Sequence, residues 1–485
     1  MTWPRVDPLR PYRGAAIVPP LAPRVPRVER VVRDDAPRPF DPPPARRSGE
    51  RVVVGGTLAA LVAADALGAA GVPVRLLAPT HDLAGALLPA RREGRTLLPP
   101  PRLLRLDGAG VGVWAAGVLG TTPAVLDDAA TVEAGRLEPD VLLHPGDPRP
   151  YARLPEAVRD ELRREVHAVR AAFGDDGLLD ADHEDALAGM TLAEASVGQH
   201  GPAFHRRWVG PRAAKAAPGG ARSIAAALRH AAWTPLVRPA TLAAALDPDE
   251  ALAGVEAPPH TLAPELVGVL VERLVARLRS RASVVVEVVG GLRRVGPGGG
   301  GGTALEFLAG PPVTAWRPLL AIGAGELFPA AGVPYDVPRL RAVTAWVEGD
   351  AAALAEVPQL THVLDPAVPV VRVAPGGVPL GPGRTLLVVE LRAFVEDAAI
   401  ARTAVEGLRD AGLAARDAPL ASVLNAARPA HPAPTPALLE AYGRARAAYD
   451  ALGLDATLAA GARGPACGAL AAQVQQGLAA AAVVA

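Results

Sequence analysis

The residues best placed to do chemistry lie just after the first apolar run. Arg51-Val-Val-Val is followed by Gly55-Gly56-Thr57-Leu58-Ala59-Ala60, and then by apolar residues at helical spacing. A glycine turn between a strand and a helix N-terminus points backbone N–H groups at whatever sits above it, which favours an anion such as a pyrophosphate. Set against G-x-G-x-x-G, Gly55 supplies the first glycine. Thr57 stands at the second and Ala60 at the third, where a small residue suffices. An acidic residue at the tip of the second strand would bind the ribose hydroxyls of a dinucleotide, and Leu77 stands at that tip.

Other candidate groups carry weaker signals. His200, His205 and His230 lack the i, i+4 spacing with glutamate that zinc chemistry favours, and they read as core or surface residues. His81-Asp82 and Asp182-His183-Glu184 read as loop or cap residues. His144 and His431 precede prolines, which suggests extended segments. Ser196, Ser223 and Ser283 lack a G-x-S-x-G elbow. Lys215, the one lysine, has no glycine loop before it, so a P-loop ATPase is excluded. Gly298 to Gly302 reads as a hairpin, because no helix follows it. One cysteine, Cys467, excludes an intramolecular disulfide and a cysteine-cluster metal site, and no metal is expected.

The elements that must position the turn can be read from periodicity. Arg51–Val54, a helix from Leu58 to Ala70 ended by Gly71, and Val72 to Leu77 form a β-α-β unit. Helices are expected over residues 153–173, within 186–232, and over Leu266 to Arg279, Val395 to Gly412, Thr435 to Leu452 and Leu470 to Val484. Strands are expected over Ser283 to Val289 and Leu305 to Leu308. Val313 to Ile322 should return to the first sheet. Thr344 to Glu348, Val368 to Val373 and Thr385 to Leu391 should form a second sheet. The fold class is α/β: a discontinuous Rossmann-like dinucleotide-binding domain (residues 51–150, 275–330 and 455–485) with an inserted α+β substrate or cap domain (151–274 and 331–454).

Composition narrows the partners. The 485 residues hold 50 basic and 50 acidic side chains, so no chain-wide field for polyanions exists, and 4% aromatics disfavours nucleic-acid stacking platforms. No apolar run is long and unbroken enough to suggest a membrane span, and no signal peptide is visible, so the expected location is cytoplasmic. A small-molecule partner is expected, and the oligomeric state is left open.

The order of motifs along the chain resembles a known family. Val52-Val-Val-Gly-Gly-Thr-Leu-Ala-Ala-Leu-Val-Ala-Ala, Val74-Arg-Leu-Leu-Ala, Leu83-Ala-Gly-Ala-Leu and Arg92-Glu-Gly-Arg-Thr follow one another as in the flavin-binding start of amine oxidase- and protoporphyrinogen oxidase-like flavoproteins. Gly85 matches one glycine of that family's Gly-Gly-Arg loop. Downstream, Thr191-Leu-Ala-Glu, His200-Gly-Pro-Ala-Phe and Trp208-Val-Gly-Pro-Arg-Ala-Ala-Lys are similar to its helical insert. Trp233-Thr-Pro-Leu and Pro239-Ala-Thr-Leu resemble the subgroup related to UDP-galactopyranose mutases.

The likeness covers residues 51–484. It implies FAD held by Gly55, Gly56, Thr57, Ala60, Leu77 and Gly85, with Arg463, Gly464 and Gly477 closing on the flavin from the C-terminal segment. Three of those contacts are eroded: Thr57 for glycine, Leu77 for the acid, and Ala469-Leu-Ala-Ala for a polar cluster. The resemblance implies an FAD-dependent oxidoreductase-like protein acting on a small molecule. Its alternatives are a cofactor-free relative acting as a binding or regulatory partner, and a flavin-dependent sugar mutase. Catalytic residues stay unassigned.

Residues 1–50 contain 12 prolines and 10 arginines, which bars ladders and helices and reads as a disordered arm. Deleting residues 1–48 should therefore leave the melting temperature nearly unchanged in a thermal-unfolding comparison, and a fall of many degrees would show that the arm packs on the body.

Overall fold

The computed structural model describes residues 49–106, 108, 110–133, 135–179, 187–247 and 261–484. The expected arm therefore lies, up to residue 48, outside the described residues, as does Asp182-His183-Glu184. The described residues divide into two compact units, each assembled from separated segments: those within 49–85, 271–339 and 438–484 form the smaller, and those within 86–247, 261–270 and 340–437 the larger.

The smaller unit is built on a five-stranded, all-parallel sheet. Its strand order is Thr457–Ala459, Leu319–Ala321, Arg51–Val54, Val74–Ala78, Val284–Val288. The chain leaves Arg51–Val54 on one side to form Val74–Ala78, and later returns on the other side as Leu319–Ala321. That reversal makes the edge between Arg51–Val54 and Leu319–Ala321 the topological switch point, where an open α/β sheet leaves a crevice. The stretch expected as one strand over Val313 to Ile322 is split. Val313–Ala315 pairs antiparallel with Thr303–Phe307 in a separate three-stranded sheet, and only Leu319–Ala321 joins the parallel one. Between them Arg317 takes a left-handed φ of 44°, and Pro318 has no N–H to continue a ladder.

Helix Leu58–Ala69 is buried along nearly its whole length. It packs against the C-terminal helix Leu470–Val484. Alanine on one helix and glycine on the other allow this approach. A Cβ at Gly477 would stand 2.7 Å from the Ala59 carbonyl oxygen and 2.8 Å from Val62 Cβ.

The larger unit contains a seven-stranded mixed sheet, ordered Ala421–Pro432, Arg339–Asp350, Arg384–Leu391, Val370–Pro375, Leu360–Val363, Ala129–Glu133, Arg136–Pro139. The 12-residue strand Ala421–Pro432 was not legible: Asn425, Ala426, Ala427 and Arg428 break any apolar alternation. One sheet face carries Val343, Ala345, Val347, Leu387 and Val389 against helix Ile400–Asp410. That helix begins five residues later than the expected Val395, because residues 397–399 form a 3-10 turn first. A separate helical layer is formed within residues 149–179 and 187–246 around Phe204, Trp208, Leu192 and Ile224. Its helices Leu192–His200 and Gly210–Ala216 are joined by a π-helical stretch, His205–Val209. No helix among the described residues is long and apolar enough to cross a membrane.

Gly477→Leu should lower unfolding free energy by about 1–3 kcal/mol or more through overpacking, read from the urea midpoint at unchanged m-value.

Candidate functional site: a switch-point turn and a buried polar row

At the switch point, Gly55 has φ 126°, and a Cβ there would lie 2.2 Å from the carbonyl oxygen of Ala321. Only glycine can make this turn. Gly56 follows, its carbonyl accepting from Ala84 N–H at 2.8 Å. Thr57 is the N-cap of helix Leu58–Ala69. Its Oγ1 accepts from Ala60 N–H at 3.4 Å and donates to the Ala321 carbonyl at 2.8 Å. The threonine side chain thus ties the two strand ends that border the crevice, and it engages one of the helix's first N–H groups. Ala60 is fully buried. The first turn of the helix carries no acidic residue.

Leu77 is not at the tip. It is the fourth of five strand residues, paired with Val54 and Glu287, and its side chain is buried with Leu305, Leu320 and Phe328. Ala78 ends the strand, and Pro79 follows. Gly85 opens a short 3-10 turn and its N–H bonds the Asp82 carbonyl at 3.1 Å. Beside it Ala84 holds a left-handed φ of 50°, a conformation that costs an alanine roughly 1–2 kcal/mol. In the C-terminal segment Ala460 is likewise left-handed, at φ 55°, with its N–H donated to Gln476 Oε1 at 2.6 Å. Arg463 is exposed, Gly464 is buried in extended backbone, and Gly477 is spent on helix packing. The structure therefore brings Gly55, Gly56, Thr57 and Ala60 into one turn, with Gly85 on the adjoining loop. Leu77 and Gly477 lie in packing positions.

A second concentration of polar groups lies wholly in the larger unit. On one face of the seven-stranded sheet, strand register aligns Thr344, Glu390, Arg372, His362 and Thr131 across five neighbouring strands. His362 Nδ1 lies 2.9 Å from Asp140 Oδ2. Asp140 is fully buried and also accepts from Arg212 and from the N–H groups of Leu142 (2.9 Å) and Leu143 (3.1 Å). Arg372 pairs with Glu390 and lies over the ring of Trp233, 3.4 Å from its centroid. Lys215 donates to the carbonyls of Val368 and Val370, the latter at 2.8 Å, where the strand bulges before Arg372.

Burial opposes the charge on Asp140, yet Arg212 and His362 outweigh it and hold the carboxyl far below the usual range. Burial, reinforced by the Arg212 charge, pushes His362 down to about 4 despite Asp140. Burial would raise Glu390, but Arg372 and Arg102 keep it low. Burial and the nearby Arg392 bring Lys215 down to about 7. Sequence reading missed this row. Its signal was a charged residue inside each β-branched run, Arg372 within Val370–Pro375 and Glu390 within Arg384–Leu391. His200, expected as a core or surface residue, lies in the core: it is fully buried, accepts from Val237 N–H at 2.8 Å through Nε2, and packs on Phe204.

No family model matches the chain, and no curated protein is similar to it in sequence. Solved structures are similar in fold. A reduced UDP-galactopyranose mutase superposes with a TM-score of 0.65 at 14% identity, covering 90% of this chain and 95% of that one. A protein described as a protoporphyrinogen oxidase from Exiguobacterium sp. 255-15 gives 0.58 at 16% identity, over 90% and 99%. A putrescine oxidase in complex with putrescine gives 0.54 at 15% identity, over the same shares. The expected resemblance to amine oxidase- and protoporphyrinogen oxidase-like flavoproteins holds at the level of fold.

The buried histidines set a pH dependence. Folded His362 and His230 titrate near 4 and His200 near 3, against about 6.5 when unfolded. Between those values the unfolded chain binds more protons, so the histidines' contribution to stability is complete above pH 6.5 and falls as pH drops towards 4. His362 alone accounts for about 3 kcal/mol of that fall. Urea unfolding at pH 7 and 4.5 should show the loss, and His362→Gln should make it smaller.

Proposed function

We propose that this chain is a cofactor-free relative of the flavoenzymes whose fold it shares, acting by binding a small molecule rather than by flavin redox chemistry. The observation that carries this reading is the Thr57 Oγ1 hydrogen bond to Ala321 at the switch point. A pyrophosphate lying over this turn needs bare backbone at the second glycine position. Here a side chain crosses the crevice and takes up the Ala60 N–H. At the strand tip Ala78 and Pro79 offer nothing to a ribose, and a carboxylate at Leu77 would be buried among apolar side chains. The residues present do not fit FAD. Each lost polar contact weakens binding by ~1–3 kcal/mol, roughly one to two decades.

The second reading, an FAD-dependent oxidoreductase, is favoured by the Gly55 turn and by the absence of any carboxylate in the first helical turn, both of which suit an anion.

The test is the visible spectrum of the protein purified from its native host, followed by FAD titration. We expect no bands near ~375 and ~450 nm, where oxidised flavin absorbs, and no saturable FAD binding. Thr57→Gly should open the crevice and give measurable FAD affinity. Wild-type protein carrying stoichiometric flavin would overturn the cofactor-free reading in favour of the oxidoreductase.

A further inference from the structure

The five-stranded parallel sheet of the smaller unit ends on Val284–Val288, which has a neighbouring strand on one side only, Val74–Ala78. The ladder between them fixes which way each backbone group points. Val74 N–H donates to the Ser283 carbonyl, and Val289 N–H donates to the Ala78 carbonyl. Residues 283, 285, 287 and 289 therefore direct their hydrogen bonds to the inner strand, and Val284, Val286 and Val288 turn theirs outward. Val284 N–H is taken by the Arg281 carbonyl at 3.1 Å. The N–H and C=O of Val286 and Val288, and the C=O of Val284, have no partner among the described residues.

Such an edge is a template for another strand, and folded proteins commonly blunt it with lysine, proline, a bulge or an inward-pointing charge. Val284–Val288 holds no lysine or proline, and its pairing with Val74–Ala78 runs without a register shift. With five residues it is as long as any strand of its sheet. Its one charge, Glu287, is drawn back over the sheet by Arg75, whose Nε and Nη2 donate to the carboxylate at 2.7 and 2.6 Å. Val285 and Val288 point to opposite faces and are 52% and 39% exposed.

The free groups match a copy of themselves. About a two-fold axis at Val286, an antiparallel second copy exchanges both Val286 N–H···O bonds, and the Val288 N–H of each copy meets the Val284 carbonyl of the other. Only the two Val288 carbonyls are left to water. One face of the junction is then a ladder of valines, Val284, Val286 and Val288 from each copy. On the other face Val285 lies opposite Glu287 of the second copy, whose charge is already met by Arg75. No like charges stand directly opposite one another, the arrangement that weakens strand pairs.

We propose that Val284–Val288 is a homodimer interface, at which two copies of this chain join their parallel sheets edge to edge through an antiparallel pairing centred on Val286. The inference does not depend on whether the switch-point turn binds flavin. An edge of this length makes a small interface, so the dimer forms reversibly and with a strong dependence on concentration.

The experiment is sedimentation velocity of the full-length protein from about 1 to 200 µM, the range in which a small interface associates. A reversible monomer–dimer equilibrium is expected. Val286→Pro removes an outward N–H and spares the bonds to Val74–Ala78, and it should raise the dimer Kd about tenfold or more. Val285 tests the register. Val285→Glu sets like charges opposite at two places and should raise Kd about fivefold, whereas Val285→Lys sets opposite charges there and should hold or lower it. Circular dichroism identifies folded variants, and the two exposed Val285 substitutions keep the test intact if Val286→Pro does not fold. A monomer at every concentration, a dimer indifferent to these substitutions, or a dimer on which glutamate and lysine at 285 act alike would overturn the proposal. Dimerisation that appears only after deletion of residues 1–48 would make that segment the occupant of the edge and overturn it equally.

Discussion

The approach of Gly55 to the Ala321 carbonyl is the constraint on which the smaller unit rests. A turn that admits no Cβ brings the end of the first strand against the end of a strand more than 260 residues later. Helix Leu58–Ala69 starts from that turn, and the C-terminal helix packs on it through Gly477. The parallel sheet can close in this order because the backbone is bare at one residue and capped by threonine two residues on. The same threonine hydrogen-bonds the Ala321 carbonyl and the Ala60 N–H, so it ties the later strand to the start of the helix.

In the larger unit the ordering force is electrostatic. Buried charges are tolerated where each has a partner and its remaining hydrogen bonds are met. Asp140 meets that standard, with Arg212, His362 and two backbone N–H groups around it. Arg372 and Glu390 meet it only in part, since their mutual pair leaves donors and an acceptor over.

Much of the first unit was legible. Arg51–Val54, Val74–Ala78 and Val284–Val288 are short β-branched or apolar runs, and Leu58–Ala69 and Leu470–Val484 are bounded by cap or small residues. Ala84 and Ala460 hold left-handed turns that glycine would favour, with no sign of them in the sequence. Leu77 was misjudged by one residue, because strand ends are set by where pairing stops, and pairing continues to Ala78. The polar row was illegible for a different reason. Its members lie up to 259 positions apart, from Thr131 to Glu390, and only strand register puts them side by side.

Lys215 is the chain's one lysine, and its amine is buried against two carbonyls beside a strand bulge. Reagents that acylate lysine side chains can reach it only when that part of the sheet opens. The rate of acylation at this single position is therefore a built-in clock for local opening of the larger unit, readable by mass spectrometry without any engineered probe.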